Sequence, residues 1–380
     1  MKKLLAIVLC AALTLALAGC SGEQAQSPSP ETTTPAPAAT ETPTPEPTEP
    51  PMSLSMASAA ALTDTVKGNA LSKGFDDLKA WSGGSMVIEF FEGGDKGTDE
   101  DIIEAVKNGG ISIYTGDASM MAEAIPQLAV LDAPMMFTAL DACNTVLSGS
   151  FTDMMQPFFN DAGLQLIGVY STSFKYLTTG KPIAASADFY GLRISTSKSQ
   201  YSKSFWKTLG CNVMPLERSE VYIALKQGLL EAQENVCSEI SALKFYEVQT
   251  NMYKTRHGQD VDVYVMNKAQ YEALTGEQKE WLGKFISQVI SDEITAAGEY
   301  ESEQEKAFKK MTVAEPVPEM LAALKAAVQP VIDEMKQNID PALVDQYLSA
   351  CGYAGGTSAP AVSGEPTTSS TASPEASPSS

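Results

Sequence analysis

The sequence predicts an α/β protein built as two lobes, on three observations. β-rich runs alternate with amphipathic helical stretches at the start of the folded region, the pattern of strands covered by helices. A helix end that stops at glycine and runs into a strand, Ala105-Val106-Lys107-Asn108-Gly109, returns as Ala224-Leu225-Lys226-Gln227-Gly228. That repetition fits one plan used twice. A helix opening at Thr275-Gly276-Glu277-Gln278 carries an apolar stripe from Leu282 to Met311, which would span about 45 Å and exceed one small lobe.

Taken in order, the elements begin with a targeting signal. Lys2 and Lys3 precede an apolar run from Leu4 to Leu17, too short to span a membrane and followed by small residues. The run ends Leu17-Ala18-Gly19-Cys20, which resembles the lipobox of bacterial lipoproteins and implies lipidation of Cys20. Residues 21–51 are rich in Pro, Thr, Ser, Ala and Glu, a stalk without core-forming residues. Met52 to Ser58 reads as a strand. Leu71, Phe75 and Leu78 place a helix up to Trp81, and Gly83-Gly84 ends it. Met86 to Phe91 is the next strand. Asp99 to Asn108 is a helix that Thr98 or Asp99 can cap and Gly109 can end, and Ile111 to Thr115 returns as a strand. Such alternation predicts a mostly parallel sheet. The long helix has a capping box at Thr275 and Gln278, with Gly298 as the expected bend. Residues 354–380 form a Ser/Thr/Pro/Gly-biased tail.

Composition removes several classes of function. The formal charge is −21, and −23 once Lys2 and Lys3 leave with the signal. That argues against nucleic acid and against adhesion to anionic lipid, so attachment to a membrane falls to Cys20. Cys143, Cys211, Cys237 and Cys351 have no zinc-like spacing; bridges and buried thiols both remain open. His257 is the only histidine, so no two-histidine metal site exists. There is no G-x-S-x-G elbow and no dinucleotide fingerprint. Gly93-Gly94-Asp95-Lys96-Gly97 lacks the ending of a phosphate loop. No cofactor and no catalysis are expected.

The most informative stretch is residues 191–235. It reads Gly191-Leu192-Arg193-Ile194-Ser195, then P-L-E-R-S-E-V-Y-I-A-L-K-Q-G from Pro215, then Gln233-Glu234-Asn235. This resembles the DctP family, the extracytoplasmic solute-binding proteins of TRAP transporters. The usual family pattern is G-L-K-I-R, P-x-x-x-x-E-V-Y-x-A-L-Q-x-G and Q-E-N-P. The resemblance runs from about Met52 to Tyr353. It implies a periplasmic-binding-protein-like fold with a central cleft, crossover segments and a long helix along both lobes. Residues 52–172 plus 261–298 would form lobe I, and 173–260 plus 299–353 lobe II. It also implies capture of a small polar, anionic organic solute for small and large permease subunits, from a lipid-anchored position outside the cytoplasmic membrane.

Ser195 stands where the family places its carboxylate-clamping arginine, and Val236 where it places proline. The resemblance assigns ligand contact to Asn235 and Lys175, with Tyr222 and Phe174 as cleft walls. Three readings follow from the missing guanidinium. The hydroxyls of Ser195, Thr196 and Ser197 bind a neutral solute; or the positive charge has moved to Arg218 or Arg193, because arginine's planar fork suits carboxylates; or both arginines are simply solvated. A sensor kinase or chemoreceptor is the alternative partner, since the fold would be the same.

Overall fold

The computed structural model describes residues 51–353 apart from Pro215. The signal, Cys20, most of the stalk and the tail lie outside the described residues.

Two sheets organise the chain. The first takes β1 (Met52–Ala57), β2 (Met86–Phe91), β3 (Ile113–Asp117), β4 (Leu164–Phe174) and β10 (Gln259–Asn267), in the order β2-β1-β3-β10-β4. The second takes β5 (Tyr176–Thr179), β6 (Arg193–Ser195), β7 (Asn212–Val213), β8 (Ala232–Asn235), β9 (Asn251–Tyr253) and β11 (Thr312–Ala314), ordered β11-β9-β5-β8-β6-β7. Two lobes of mixed α/β structure result.

The expectation of a mostly parallel first sheet holds for four of its five strands and needs correction for β10. β1 runs parallel to β2 and β3, but β10 runs antiparallel to both β3 and β4. The physical reason is connectivity. Helical crossovers join β1, β2 and β3, whereas β10 enters from the other lobe, and its direction is set by where it enters.

Local chemistry explains the helices. α1 (Val66–Trp81) starts at Thr65, whose side chain accepts from the Gly68 amide. α2 (Asp99–Lys107) has a reciprocal box between Thr98 and Asp101, and Gly109 beyond its end takes φ +76. α3 (Leu140–Val146) and α4 (Thr152–Asp161) are joined through a wider turn at Leu147–Phe151. On the second lobe lie α5 (Gln200–Thr208), α6 (Arg218–Lys226) and α7 (Cys237–Ala242). α8 (Lys268–Ala273) follows β10, then α9 (Gly276–Ala307), α10 (Pro318–Ala326), α11 (Val328–Asn338) and α12 (Pro341–Ala350).

α9 continues through Gly298 without a break and stops at Ala307, four residues short of the expected Met311. Its first half packs Phe285 and Val289 against α1 at Gly74, where a Cβ would come 2.4 Å from Val289 Cγ2. Only glycine permits that approach. α11 packs on α5. α12 instead returns to the first lobe, where Tyr347 meets Phe151 edge-on at 5.9 Å. Cys143, Cys211 and Cys237 are buried free thiols and Cys351 is a half-buried one. Among the described residues, no helix is long and apolar enough to cross a membrane.

Candidate functional site

Three connections link the sheets, and they meet. A single residue, Lys175, separates β4 of the first sheet from β5 of the second. Residues 254–258 carry the chain back from β9 to β10. The Lys175 amide donates to the Gly258 carbonyl at 2.8 Å, so the two crossovers run side by side. The last turns of α9 strap them: Glu301 accepts from Tyr176 Oη at 2.6 Å and Ser173 Oγ at 3.1 Å, and Glu305 pairs with Lys254 at 2.5 Å. Whatever lies here feels both lobes.

What lies here is a buried polar cluster around Glu234. Oε2 of Glu234 accepts from Trp206 Nε1 and from His257 Nε2, each at 2.6 Å. Oε1 accepts from Ser202 Oγ at 2.7 Å, Thr196 Oγ1 at 2.5 Å and the Ser197 amide at 3.1 Å. Burial acts to raise the Glu234 pKa. The charge and hydrogen bond of His257, with Lys175 and Thr196, overcome it and hold the carboxyl well below the usual range. An ionised carboxylate only accepts, which assigns the Nε2 proton to His257. Its Nδ1 faces Thr255 Oγ1 at 2.7 Å. Beside this cluster a cavity of ≈20 Å³ is lined by Asp132, Pro134, Lys175, Phe205, Glu234 and His257, among others. Asp132 comes from the first lobe and accepts from Ser199 Oγ of the second at 2.8 Å. Burial pushes the Asp132 carboxyl up, against Lys175 and Ser199.

The facing edge of the first sheet is also charged. Asp117 at the end of β3 pairs in register with Asp262 of β10, and Asp262 lies 3.2 Å from Lys67 Nζ on α1. Burial, then Asp117 and Asp262, raises Asp260 to about 7 against the pull of Lys175 and Lys67. Burial lowers the Lys175 pKa, but Glu234, Asp260, Asp132 and Asp117 together raise it above the ordinary lysine value.

The residues expected from sequence divide into two groups. Lys175 lines the cavity. Ser195 is buried on β6 in register with Gln233, and Asn235 ends β8 with its Oδ1 accepting from the Val236 amide at 3.0 Å. A proline at 236 could not donate that bond. The others point to different duties. Arg193 donates through Nε to Leu229 O at 2.9 Å and through an Nη to Gly228 O at 3.0 Å, and it pairs with Glu231, closing the end of α6. Arg218 is exposed at the start of α6 and pairs with Glu239. Tyr222 donates to Glu247 at 2.8 Å, and Phe174 is buried in the core. Glu220 caps α6 by accepting from the Glu217 amide. Trp206 is fully buried in the core and is a donor to the cluster as well.

Sequence reasoning missed Glu234, His257, Asp132 and Ser202 as members of the site. A lone histidine in an acidic chain, and a glutamate within the Q-E-N motif, were the available signals. The arginine count settles one point. The chain has three arginines, and the third, Arg256, is held by Glu315 through two bonds of 2.6 and 2.8 Å. Each of the three is paired away from the cavity.

Residues 57–338 match the family described as bacterial extracellular solute-binding protein, family 7. The 2,3-diketo-L-gulonate-binding periplasmic protein YiaO of Escherichia coli is 26% identical over 213 residues, 56% of this chain and 65% of that one. The sialic acid-binding periplasmic protein SiaP of Vibrio cholerae is 22% identical over 294 residues, 76% of this chain and 90% of that one. A TRAP periplasmic solute-binding protein of Ochrobactrum anthropi, solved with its C-terminus in the ligand pocket, superposes with a TM-score of 0.74 at 26% identity. That match covers 79% of this chain and 94% of that one. A family match over most of the chain, on a two-lobed frame whose crossovers converge on one polar cluster, places this protein in family 7 of the bacterial extracellular solute-binding proteins, the DctP family.

Proposed function

We propose that this chain captures a small organic acid between its lobes and delivers it unaltered to the small and large membrane subunits of a TRAP-type permease. One observation carries the reading. The hinge and the polar cluster are the same place, since Lys175 and His257 sit on the crossovers while Asp132 and Glu234 come from opposite lobes. A solute that contacts both lobes only when they are closed shifts the population toward closure, and the closed form is what a permease can distinguish from the empty one. Relatives named for sialic acid and for 2,3-diketo-L-gulonate support an acid as the guest.

The two halves that close would be 52–172 with 261–298, and 173–260 with 299–353. α12 is an addition to that division, because it packs back on the first. Lipid on Cys20 and the Pro/Thr-rich stalk would hold the folded region outside the cytoplasmic membrane. No covalent chemistry is assigned to the cluster, whose Glu234 has its oxygens filled by donors of the chain itself.

The experiment is purification without denaturation, followed by mass spectrometry of the co-purified solute and small-angle scattering with and without it. An unaltered acid that contracts the particle is the expected result. A chemically converted solute, or an acid that binds with no contraction, would overturn the reading.

A further inference from the structure

Resting on that reading, we infer that the solute is an organic acid that also carries an ammonium group, received by Asp117, Asp260 and Asp262 at the cleft edge of the first lobe. The placement follows from the strands. Residues two apart on a strand share a face, so Thr115 and Asp117 lie together on β3. Their register partners Tyr264 and Asp262 lie together on β10, on the same side. Lys67, in the first turn of α1, reaches Asp262 at 3.2 Å and sits 5.5 and 5.8 Å from the rings of Tyr264 and Tyr170. Thr115 is fully buried on this face, and its Oγ1 makes no hydrogen bond within the chain. A buried hydroxyl without a partner is costly, and it leaves a polar group on this face, beneath Asp117 and Asp262, for a ligand to satisfy.

Charge balance supplies the class of ligand. Glu234 and His257 pair with each other. That leaves Asp117, Asp132, Asp260 and Asp262 facing Lys67 and Lys175, four carboxyls against two ammonium groups, a crowding that with burial raises Asp132 and Asp260. No guanidinium offsets it, because Arg193, Arg218 and Arg256 are all paired elsewhere. A carboxylate arriving alone would meet repulsion. An acid with its own ammonium group brings the missing positive charge, while the acid end meets Lys175 and the free amide nitrogen of Asn235. Asp260 adds a pH signature. It faces Asp117 on β3, Asp262 on its own strand, Lys175 at the crossover and Lys67 on α1, and it titrates near 7. An ammonium beside it favours the ionised form, so affinity rises as pH rises through about 7.

The test is thermal shift followed by titration calorimetry on the purified chain, with matched acids of one skeleton: glucosaminate against gluconate, aspartate against succinate, 4-aminobutyrate against butyrate. The expected result is stabilisation by an aminated member and not by its partner. Asp117→Asn would then weaken that member by about tenfold or more, and Asp260→Asn, which needs no refolding around a new shape, would flatten the pH dependence. Gluconate, succinate or butyrate binding as well as the aminated partner would overturn the inference and leave the organic-acid reading standing. Stabilisation by neutral sugars alone, or silence from all six acids, would count against both.

Discussion

At the scale of single residues, Glu234 and Arg193 do different work, one gathering donors into a buried cluster and the other tying off the end of a helix. Glu234 is a buried carboxylate with five donors on its two oxygens. In Glu234→Gln one oxygen becomes an NH2 group, and whichever way the amide turns it meets donors. The expected loss is about 2–3 kcal/mol of stability, measured by urea denaturation. The sign with pH also follows. The Glu234 pKa is depressed in the folded state. Its contribution is therefore present above the ordinary value of 4.5 and is lost as pH falls below it. The wild-type chain should lose stability more steeply than the variant below that value. Arg193 gives the opposite case. It binds the carbonyls of Gly228 and Leu229 at a helix end, so Arg193→Ala should cost about 1 kcal/mol and leave solute affinity unchanged. A large loss of affinity would return it to the cleft. Lys175, which lines the cavity, was legible because its motif position carried it. His257 was not, because a histidine without a partner at fixed spacing leaves no pattern until the fold brings Glu234 to it.

At the scale of elements, much was legible because the information is local. The capping boxes at Thr98 and Thr275, the glycine ends and the apolar periodicity each act within a few residues, and those helices and strands form close to where expected. The reversal of β10 in the first sheet was not legible. It depends on β10 arriving from the second lobe, and no periodicity encodes an entry point. The β8–α7 junction shows how one backbone donor can matter. Val236 has φ −76, a value proline adopts, and it follows an extended residue. Val236→Pro should therefore fold, with the lost bond to Asn235 Oδ1 offset by a less free unfolded chain and the net change within about 1 kcal/mol. Its consequence is functional. The Asn235 carboxamide, no longer held by its neighbour, is free to reorient, and calorimetry should register a change in solute affinity without a matching change in the denaturation midpoint. An unaltered affinity would mean that Asn235 does not touch the solute.

For the whole molecule, opposed titrations predict a stability maximum in mildly acid solution. Glu293, on the face of α9 against the first lobe, is raised to about 7, chiefly by burial and also by Asp262, against Lys67 and the Tyr170 hydroxyl at 2.6 Å. Asp260 is raised to about 7 as well. A raised acid binds its proton more tightly when folded. Its stabilising effect is complete below the unfolded values of 4.5 and 3.8 and is lost as pH climbs through 7. Glu234 works in the other direction and weakens the fold only in acid. The empty chain should thus have a higher Tm near pH 5.5 than near pH 8. Glu293→Gln isolates one source, because the amide resembles the protonated carboxyl in shape and keeps an acceptor for Tyr170. The variant should exceed wild type modestly near pH 5.5 and by more near pH 8, narrowing the gap in Tm. A gap of unchanged width would assign the alkaline loss to Asp260 and the cleft. In that case an ammonium-bearing solute should close it, since its charge replaces the proton that Asp260 gives up.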